Sequence, residues 1–155
     1  MTPEQRKDLQ ELLDAERVLA LALTVDGEPH VGLLPFARSR DGRTLLVHAS
    51  RLAKHGRGLA VGVSFSALVH RADRGIGDPL QLPRVTLQGT VFPLTRESPA
   101  WREARETYLA RLPSAAVTFE LGDFTLHALR VESGRYVAGT AQVVNVASAD
   151  LAPDA

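Results

Sequence analysis

At 155 residues the chain has the length of one domain that can bury a hydrophobic core. Hydrophobic residues make up 45% of it and charged residues 23%, as is ordinary for a soluble globular protein. A formal net charge of zero argues against bulk nucleic-acid binding, and the absence of cysteine excludes disulfides and thiolate metal sites.

The beginning of the sequence predicts an amphipathic helix over roughly 3–16. Thr2 suits the capping position, Pro3 suits the first helical position, and Gln5 stands where a capping box needs its partner. This polar start is unlike a signal peptide, and no apolar run in the sequence approaches the ~18 residues of a membrane span. We therefore expect a cytoplasmic protein with no membrane partner.

Three short apolar runs come next and predict three β-strands. They span 18–25, 30–37 and 44–50. An Asp-Gly pair, which is a strong hairpin signal, separates each run from the next: Asp26-Gly27 and Asp41-Gly42. Tight turns of this kind imply that the three strands pair in antiparallel order.

A short polar helix is predicted at 51–59, and further short strands follow it. The further elements are a strand at 60–70, a mobile loop at 71–83, a strand at 84–94, a helix from about 98 to 111, a strand at 123–132, two brief strand candidates at 135–139 and 142–146, and a disordered tail at 148–155. Six or seven strands in hairpin order with two or three helices predict a mainly β (α+β) fold, an antiparallel barrel with peripheral helices. We expect one domain over 1–147.

The segment HASRLAKHGRG, residues 48–58, is the strongest chemical signal. It holds five basic side chains, and no Asp or Glu occurs between Gly42 and Ala72. A phosphate favours donors that converge from a strand end and the first turn of a helix, and Ser50 stands where such a helix would begin, so that it could cap the helix or meet an anion. Lys54 is one of only two lysines in the chain. Composition alone still favours a solvated basic helix over an anion site.

The histidines show no spacing that is typical of metal ligands, and we predict no metal site. They are His30, His48, His55, His70 and His127. His48 and His127 lie in apolar strands, which predicts hydrogen-bonded core or pocket residues. Arg84 opens a strand and is either an exposed strand end or a ligand contact. Nucleophile, Walker and dinucleotide fingerprints are absent from the sequence, so catalytic residues stay unassigned.

The order of the segments resembles a known family. The run ALTVDGEPHVGLLPFARSRDGRTLLVHASRLAKHGRGL, followed by DPLQLPRVTLQGTV, YLARLPSAA and LGDFTLHALRVESGRYVAG, is similar to the pyridoxamine 5'-phosphate oxidase-like FMN-binding split-barrel superfamily, and within it to the haem-utilisation (HugZ-type) branch. The resemblance covers about residues 12–146. It implies a six-stranded split barrel that forms a homodimer, with FMN sites across the interface and a small-molecule substrate.

The first hypothesis is therefore an FMN-dependent oxidoreductase, with the flavin bound as the resemblance implies. The phosphate is expected on Ser50, Arg51, Lys54, His55 and Arg57, with His48 in the same pocket. The ring is expected against the backbone of Val31, Gly32, Leu33 and Leu34. Further cofactor contacts are expected from Arg84 and Arg135.

The sequence also departs from the HugZ-type pattern, which usually reads His-Thr-Arg-Asn where this chain has His55-Gly56-Arg57-Gly58. Two hydrogen-bonding side chains are therefore missing, and the two glycines are expected to loosen the helix. The HugZ haem oxygenases bind haem iron through a C-terminal histidine, whereas the last histidine here is His127, so haem-oxygenase activity by that route is not expected.

Two other hypotheses stay open beside the flavin. The branch resemblance and Arg84 support a haem-binding or haem-handling protein. The two glycines support a split barrel that has lost its cofactor and serves as an interaction module. The deazaflavin F420 is a variant of the first hypothesis, and nucleic acid is the partner that we least expect.

Overall fold

The computed structural model describes residues 1–139 and 142–153, which form one curled antiparallel sheet with helices around it. The strands are β1 (Val18–Val25), β2 (Glu28–Pro35), β3 (Ala37–Arg38), β4 (Thr44–Ser50), β5 (Ser64–His70), β6 (Arg84–Pro93), β7 (Phe124–Ala138) and β8 (Gln142–Ala147). The helices are α1 (Pro3–Ala15), α2 (Lys54–Gly58), α3 (Pro99–Arg111) and α4 (Ala116–Phe119). Short 3-10 turns lie at Pro79–Gln81, Pro113–Ala115 and Ser148–Leu151. The predicted antiparallel split barrel with peripheral helices is confirmed.

The strand order is β2-β1-β5-β6-β7-β4-β3, and β8 pairs with β7. The long strand β7 therefore joins the two halves of the sheet: its first part pairs with β4 and its last part with β8, while β6 lies along both. The β6–β7 register shifts between Gln88 and Gly89. Gly89 is needed there, because a Cβ would lie 1.8 Å from the carbonyl oxygen of Arg130.

The local signals at the beginning of the chain are confirmed. Thr2 caps α1 by accepting from the Gln5 amide at 3.2 Å, and the Gln5 side chain accepts from the Thr2 amide at 2.9 Å. Asp26 and Gly27 both have positive φ angles, 52° and 78°, as a two-residue hairpin turn of type I′ requires. They connect β1 and β2, which pair along their whole length.

The second predicted strand, 30–37, is wrong in its extent. β2 ends at Pro35, the Phe36 side chain turns into the core with 1% of its surface exposed, and the short strand β3 continues on the other side of the sheet. There β3 pairs with β4, not with β1. The three first strands are therefore two separate hairpins at opposite edges, because burial of Phe36 redirects the chain between them.

The predicted strands 123–132 and 135–139 are one continuous strand, β7. Ser133 and Gly134 carry residue types that are typical of turns, but they pair with Gln88 and Leu87 of β6. A Cβ on Gly134 would lie 2.6 Å from the carbonyl oxygen of Thr86, so the glycine allows close strand contact rather than a turn.

The predicted disordered tail is wrong for residues 148–151, and Asp154 and Ala155 lie outside the described residues. Ser148–Leu151 forms a 3-10 turn, and Leu151 is fully buried. Gln10 of α1 donates to the carbonyl oxygen of Asp150 at 2.8 Å. Burial of one leucine and these bonds to α1 hold the segment.

Two apolar clusters stabilise the fold. The inner cluster fills the barrel and includes the leucine stripe of α1. The outer cluster lies between α3, α4 and the outward face of β4 and β7, with Trp101, Tyr108 and Phe119 at its centre. Among residues 1–139 and 142–153, every helix is too short or too polar to cross a lipid bilayer.

Candidate functional site

Helix α2 begins at Lys54, three residues later than a cap at Ser50 requires, and its actual capping residue is Ala53. The Ser50 hydroxyl instead donates to Asp123 Oδ2 at 2.6 Å and accepts from the Leu52 amide at 3.1 Å. The predicted helix cap at Ser50 is therefore wrong. The side chain is used inside the protein, where it joins the end of β4 to the start of β7.

Two of the predicted phosphate ligands also have protein partners. Arg51 turns away from α2 and donates to the carbonyl oxygen of Gly122 at 3.1 Å. Arg57 lies 3.8 Å from the Asp26 carboxylate. Lys54, in contrast, makes no hydrogen bond or ion pair with any other residue in the ranges that the structure describes. Within one protomer the basic segment is thus not a converging cradle.

Gly56 and Gly58 are required by packing, and the expectation that they also loosen α2 stays a prediction. A Cβ on Gly56 would lie 1.9 Å from the carbonyl oxygen of Ser50. A Cβ on Gly58 would lie 2.7 Å from the Val25 side chain. The glycines let this short helix lie directly against β4 and β1, so they fix its position.

This position brings His55 to the edge strand β2. The imidazoles of His55 and His30 are stacked, with centroids 6.5 Å apart and an interplanar angle of 18°. Gly32 makes room for the pair, since a Cβ there would lie 3.0 Å from His55 Nδ1. Burial lowers the pKa of His55, and the neighbouring His30 lowers that pKa further. His55 is therefore kept in its neutral form, which can coordinate a metal.

A cleft of about 420 Å³ lies next to His55. Strands β2 and β4 line one side of it, and helices α3 and α4 line the other. It is mainly apolar, and its wall includes Leu34, Pro35, Ala49, Tyr108, Leu112 and Phe124. Of the predicted cofactor residues, Leu34, His48, Ser50 and His55 border this cleft.

His48 forms a wall of the cleft and is held by its neighbours. Its ring stacks on Phe119 with centroids 3.9 Å apart, and its Nδ1 lies 3.0 Å from Thr118 Oγ1. Because the only hydroxyl hydrogen of Thr118 is donated to the carbonyl oxygen of Ala115, at 2.8 Å, His48 Nδ1 must be the donor. The predicted pocket role of His48 agrees with this position. Burial also raises the pKa of Tyr108, beside it, to about 12.

His127 lies on the opposite face of the sheet from His48, because it is opposite Val47 in the β4–β7 register. It is 7% exposed, and its Nε2 has no hydrogen-bond partner among the described residues. Burial lowers the pKa of both His48 and His127 to about 4. Both side chains are therefore neutral at pH 7.

These two histidines predict acid instability. In the unfolded chain they titrate near 6.5 and in the folded protein near 4, so between these values only the unfolded chain takes up the protons. The free energy of unfolding should be highest above pH 6.5 and fall by a few kcal/mol as the pH drops to about 4. Urea unfolding at a series of pH values measures this.

Two variants test whether buried histidine causes the decline. His127→Leu removes one of the two buried histidines, and His70→Leu is the control. His127→Leu should flatten the decline, whereas the exposed His70→Leu should leave it unchanged. An equal decline in His127→Leu and in the unaltered protein would show that buried His127 does not cause it.

Arg84 and Arg135 lie far from this cleft within one protomer. Arg84 donates to the carbonyl oxygens of Leu80 and Leu82, at 2.8 and 3.2 Å, and thereby holds the preceding turn. Arg135 is exposed opposite Thr86. Phe124 at the start of β7 borders the cleft, whereas Arg135 lies eleven residues further along that strand. Arg84 is opposite Val137, near the far end of β7, and neither arginine borders the cleft.

The outward face of β1 and β2 is apolar, a feature that was not predicted from the sequence. Val31 and Leu33 are 64% and 70% exposed, and they lie opposite Ala22 and Ala20. Val18 is 46% exposed on the same face. The signal was present in VLALALTV, which is apolar at every position but one, as is typical of strands covered on both faces.

The chain matches known proteins over most of its length. The family model described as pyridoxamine 5'-phosphate oxidase matches residues 5–138. The heme oxygenase HutZ of Vibrio cholerae is 27% identical over 147 residues, which cover 93% of this chain and 82% of that protein.

Solved structures agree in fold. A heme binding protein from Mycobacterium smegmatis superposes with a TM-score of 0.83 at 25% identity over 97% of this chain, which spans only 61% of that protein's length. ChuZ of Campylobacter jejuni superposes with a TM-score of 0.82 at 18% identity, over 98% of this chain and 63% of that protein.

Proposed function

Since the chain belongs to the pyridoxamine 5'-phosphate oxidase family and fits its HugZ-type branch, we propose that it is a homodimeric haem-binding protein. The observation that carries this proposal is the position of His55, a neutral imidazole in the lining of a large apolar cleft. Haem needs an apolar surface for its macrocycle and a neutral nitrogen for its iron, and this edge of β2 offers both.

The residues present fit haem better than they fit a flavin phosphate. Ser50, Arg51 and Arg57 each have a protein partner, so only two of the five expected phosphate ligands are left. An iron porphyrin needs fewer charged contacts, since most of its surface is apolar. The similarity to the heme oxygenase HutZ over 93% of the chain supports the same choice.

The homodimer is supported by the apolar outward face of β1 and β2. Soluble proteins rarely leave Val31 and Leu33 as exposed as they are here unless another protein surface covers them. A second copy of the chain would cover this face.

When bound, haem would supply an iron centre that binds small ligands. The chain's own residues would hold the haem. His55 would coordinate the iron, and Leu34 and Phe124 would pack on the macrocycle. The neutral His48 side chain would form part of the cleft wall. Cofactor proteins divide their tasks in this way.

Haemin titration tests the proposal. A shifted Soret band at one haem per protomer is expected, and His55→Ala should weaken binding by at least tenfold because it removes the iron ligand. His70→Ala is the matched control, since His70 is exposed and does not border the cleft. Because the pKa of His55 is lowered, binding should persist below the ordinary histidine pKa of 6.5.

Unchanged affinity and an unchanged Soret band in His55→Ala would contradict the iron-ligand role. If the unaltered protein fails to bind haemin at all, the haem proposal falls and the cofactor-free module gains support.

FMN, with oxidation or reduction of a small molecule, is the second candidate. The observation that favours it is Lys54, which has no partner among residues 1–139 and 142–153. In that case FMN should raise the melting temperature, and Lys54→Met should abolish the rise. Lys7→Met is the control, because Lys7 is the only other lysine and lies on α1.

A further inference from the structure

A second cavity, of about 180 Å³, lies behind the cofactor cleft, between the end of β4, the start of β7 and helix α3. His48 and Phe124 border both cavities. We propose that this second cavity binds a small oxyanion, a phosphate or a carboxylate, between the guanidinium groups of Arg51 and Arg96. The inference does not depend on which cofactor the first cleft holds.

The charges around the cavity favour an anion. Arg51 and Arg96 both border it, whereas none of its lining residues is an Asp or a Glu. Neither arginine forms an ion pair within residues 1–139 and 142–153. Five other arginines form ion pairs with carboxylates: Arg38, Arg40, Arg57, Arg71 and Arg102.

The acids near the cavity are already engaged or turned elsewhere. Asp123 accepts from the Ser50 hydroxyl, and Glu97 pairs with Arg102. Glu120 borders a neighbouring surface depression, which Arg96 also borders, but it forms no ion pair with Arg96 among the described residues. The two guanidinium groups are therefore left to a ligand from solution.

Both guanidinium groups are held in place by the backbone. Arg51 donates to the carbonyl oxygen of Gly122 at 3.1 Å, and Arg96 donates to that of Phe119 at 3.4 Å. The Arg96 guanidinium also lies over the Trp101 ring, 5.7 Å from its centroid. An arginine has five N–H donors, so each keeps several for a ligand, and little side-chain entropy is lost when the ligand binds.

The size of the cavity limits the ligand. A volume of about 180 Å³ accommodates a phosphate or a small carboxylate but neither haem nor a flavin. Its lining includes three aromatic residues, Trp101, Phe119 and Phe124. The two arginines are exposed, so a ligand can reach them directly from solution.

The chain contains a single tryptophan, Trp101, and it borders this cavity. Its fluorescence therefore reports directly on binding. Inorganic phosphate is titrated at an ionic strength held constant with chloride. A saturable change with a millimolar or lower Kd is expected. Arg51→Gln and Arg96→Gln should each raise the Kd by about tenfold or more, as loss of a charge-assisted hydrogen bond implies.

Two controls keep the result specific. Arg74→Gln removes one positive charge from the exposed loop that follows β5, and it should leave the Kd unchanged. Lys54→Met should also leave it unchanged, because Lys54 lies at α2. If Lys54→Met abolishes the response, the phosphate binds at the cofactor cleft and the proposal is overturned. An equal loss in Arg74→Gln would mean general charge attraction and would overturn it too.

Equilibrium dialysis with radiolabelled phosphate gives a count of sites that does not depend on fluorescence. One site per protomer in the unaltered protein is expected, with loss in the double variant Arg51→Gln/Arg96→Gln. Circular dichroism establishes that the variants are folded. Absence of binding by both methods, or binding that persists in the folded double variant, contradicts the proposal.

Discussion

Leu33→Glu is expected to break the proposed homodimer into monomers and to abolish haemin binding. Leu33 is 70% exposed on the apolar outward face of β2, opposite Ala20. A carboxylate there would have to be buried without a partner in the interface, which costs several kcal/mol. Light scattering coupled to size-exclusion chromatography measures the mass, and a haemin titration of the same sample measures binding.

Leu80→Glu is the matched control. Leu80 is 73% exposed, almost as much as Leu33, but lies in the turn before β6. This variant should remain dimeric and bind haemin normally. If Leu33→Glu stays dimeric, the outward face of β1 and β2 is not the interface. If it is monomeric but binds haemin normally, the site is complete within one protomer.

Gly56→Ala is expected to have the largest effect on the cleft. The added methyl group would lie 1.9 Å from the Ser50 carbonyl oxygen, so α2 must move away from β4. Overpacking against backbone should cost about 3 kcal/mol, which lowers the Tm by roughly 6–12 °C for a domain of this size. His55 moves with α2, and haemin binding should therefore weaken as well. Differential scanning calorimetry and the haemin titration measure the two effects.

Gly122→Ala is the control for that substitution, since nothing lies within 4 Å of a Cβ at position 122. Its Tm and haemin affinity should match those of the unaltered protein. A Gly56→Ala variant with unchanged stability would show that α2 can shift freely, and the fixed position assigned to His55 would then be wrong.

Much of the fold could be predicted because its signals are local. The capping box at Thr2 and the Asp26-Gly27 turn act over a few residues and needed no knowledge of the rest of the chain. The errors occurred where distant strands decide the outcome. Burial of Phe36 separates β2 from β3, and pairing with β6 keeps Ser133 and Gly134 extended within β7.

The sequence predicted which segment lies at the candidate site, but it did not predict which partners the side chains of that segment contact. Composition identified the region around 48–58, and three of its residues, His48, Ser50 and His55, border the cleft of about 420 Å³. The direction of each side chain depends on partners far along the chain. Ser50 bonds to Asp123, 73 residues away, and Arg51 bonds to Gly122, 71 residues away. No periodicity in a single sequence carries such information.

The position of β7 in the sheet sets the order in which the protein can fold during synthesis. β4 is apolar and buried throughout its centre, yet its full-length partner is β7, with Thr44 opposite Arg130 and Ser50 opposite Phe124. The preceding strand, β3, covers only Leu45 and Leu46. A nascent chain must therefore carry β4 with an unpaired edge until β7 leaves the ribosome, and a chain that stops before β7 would expose a strand prone to aggregation.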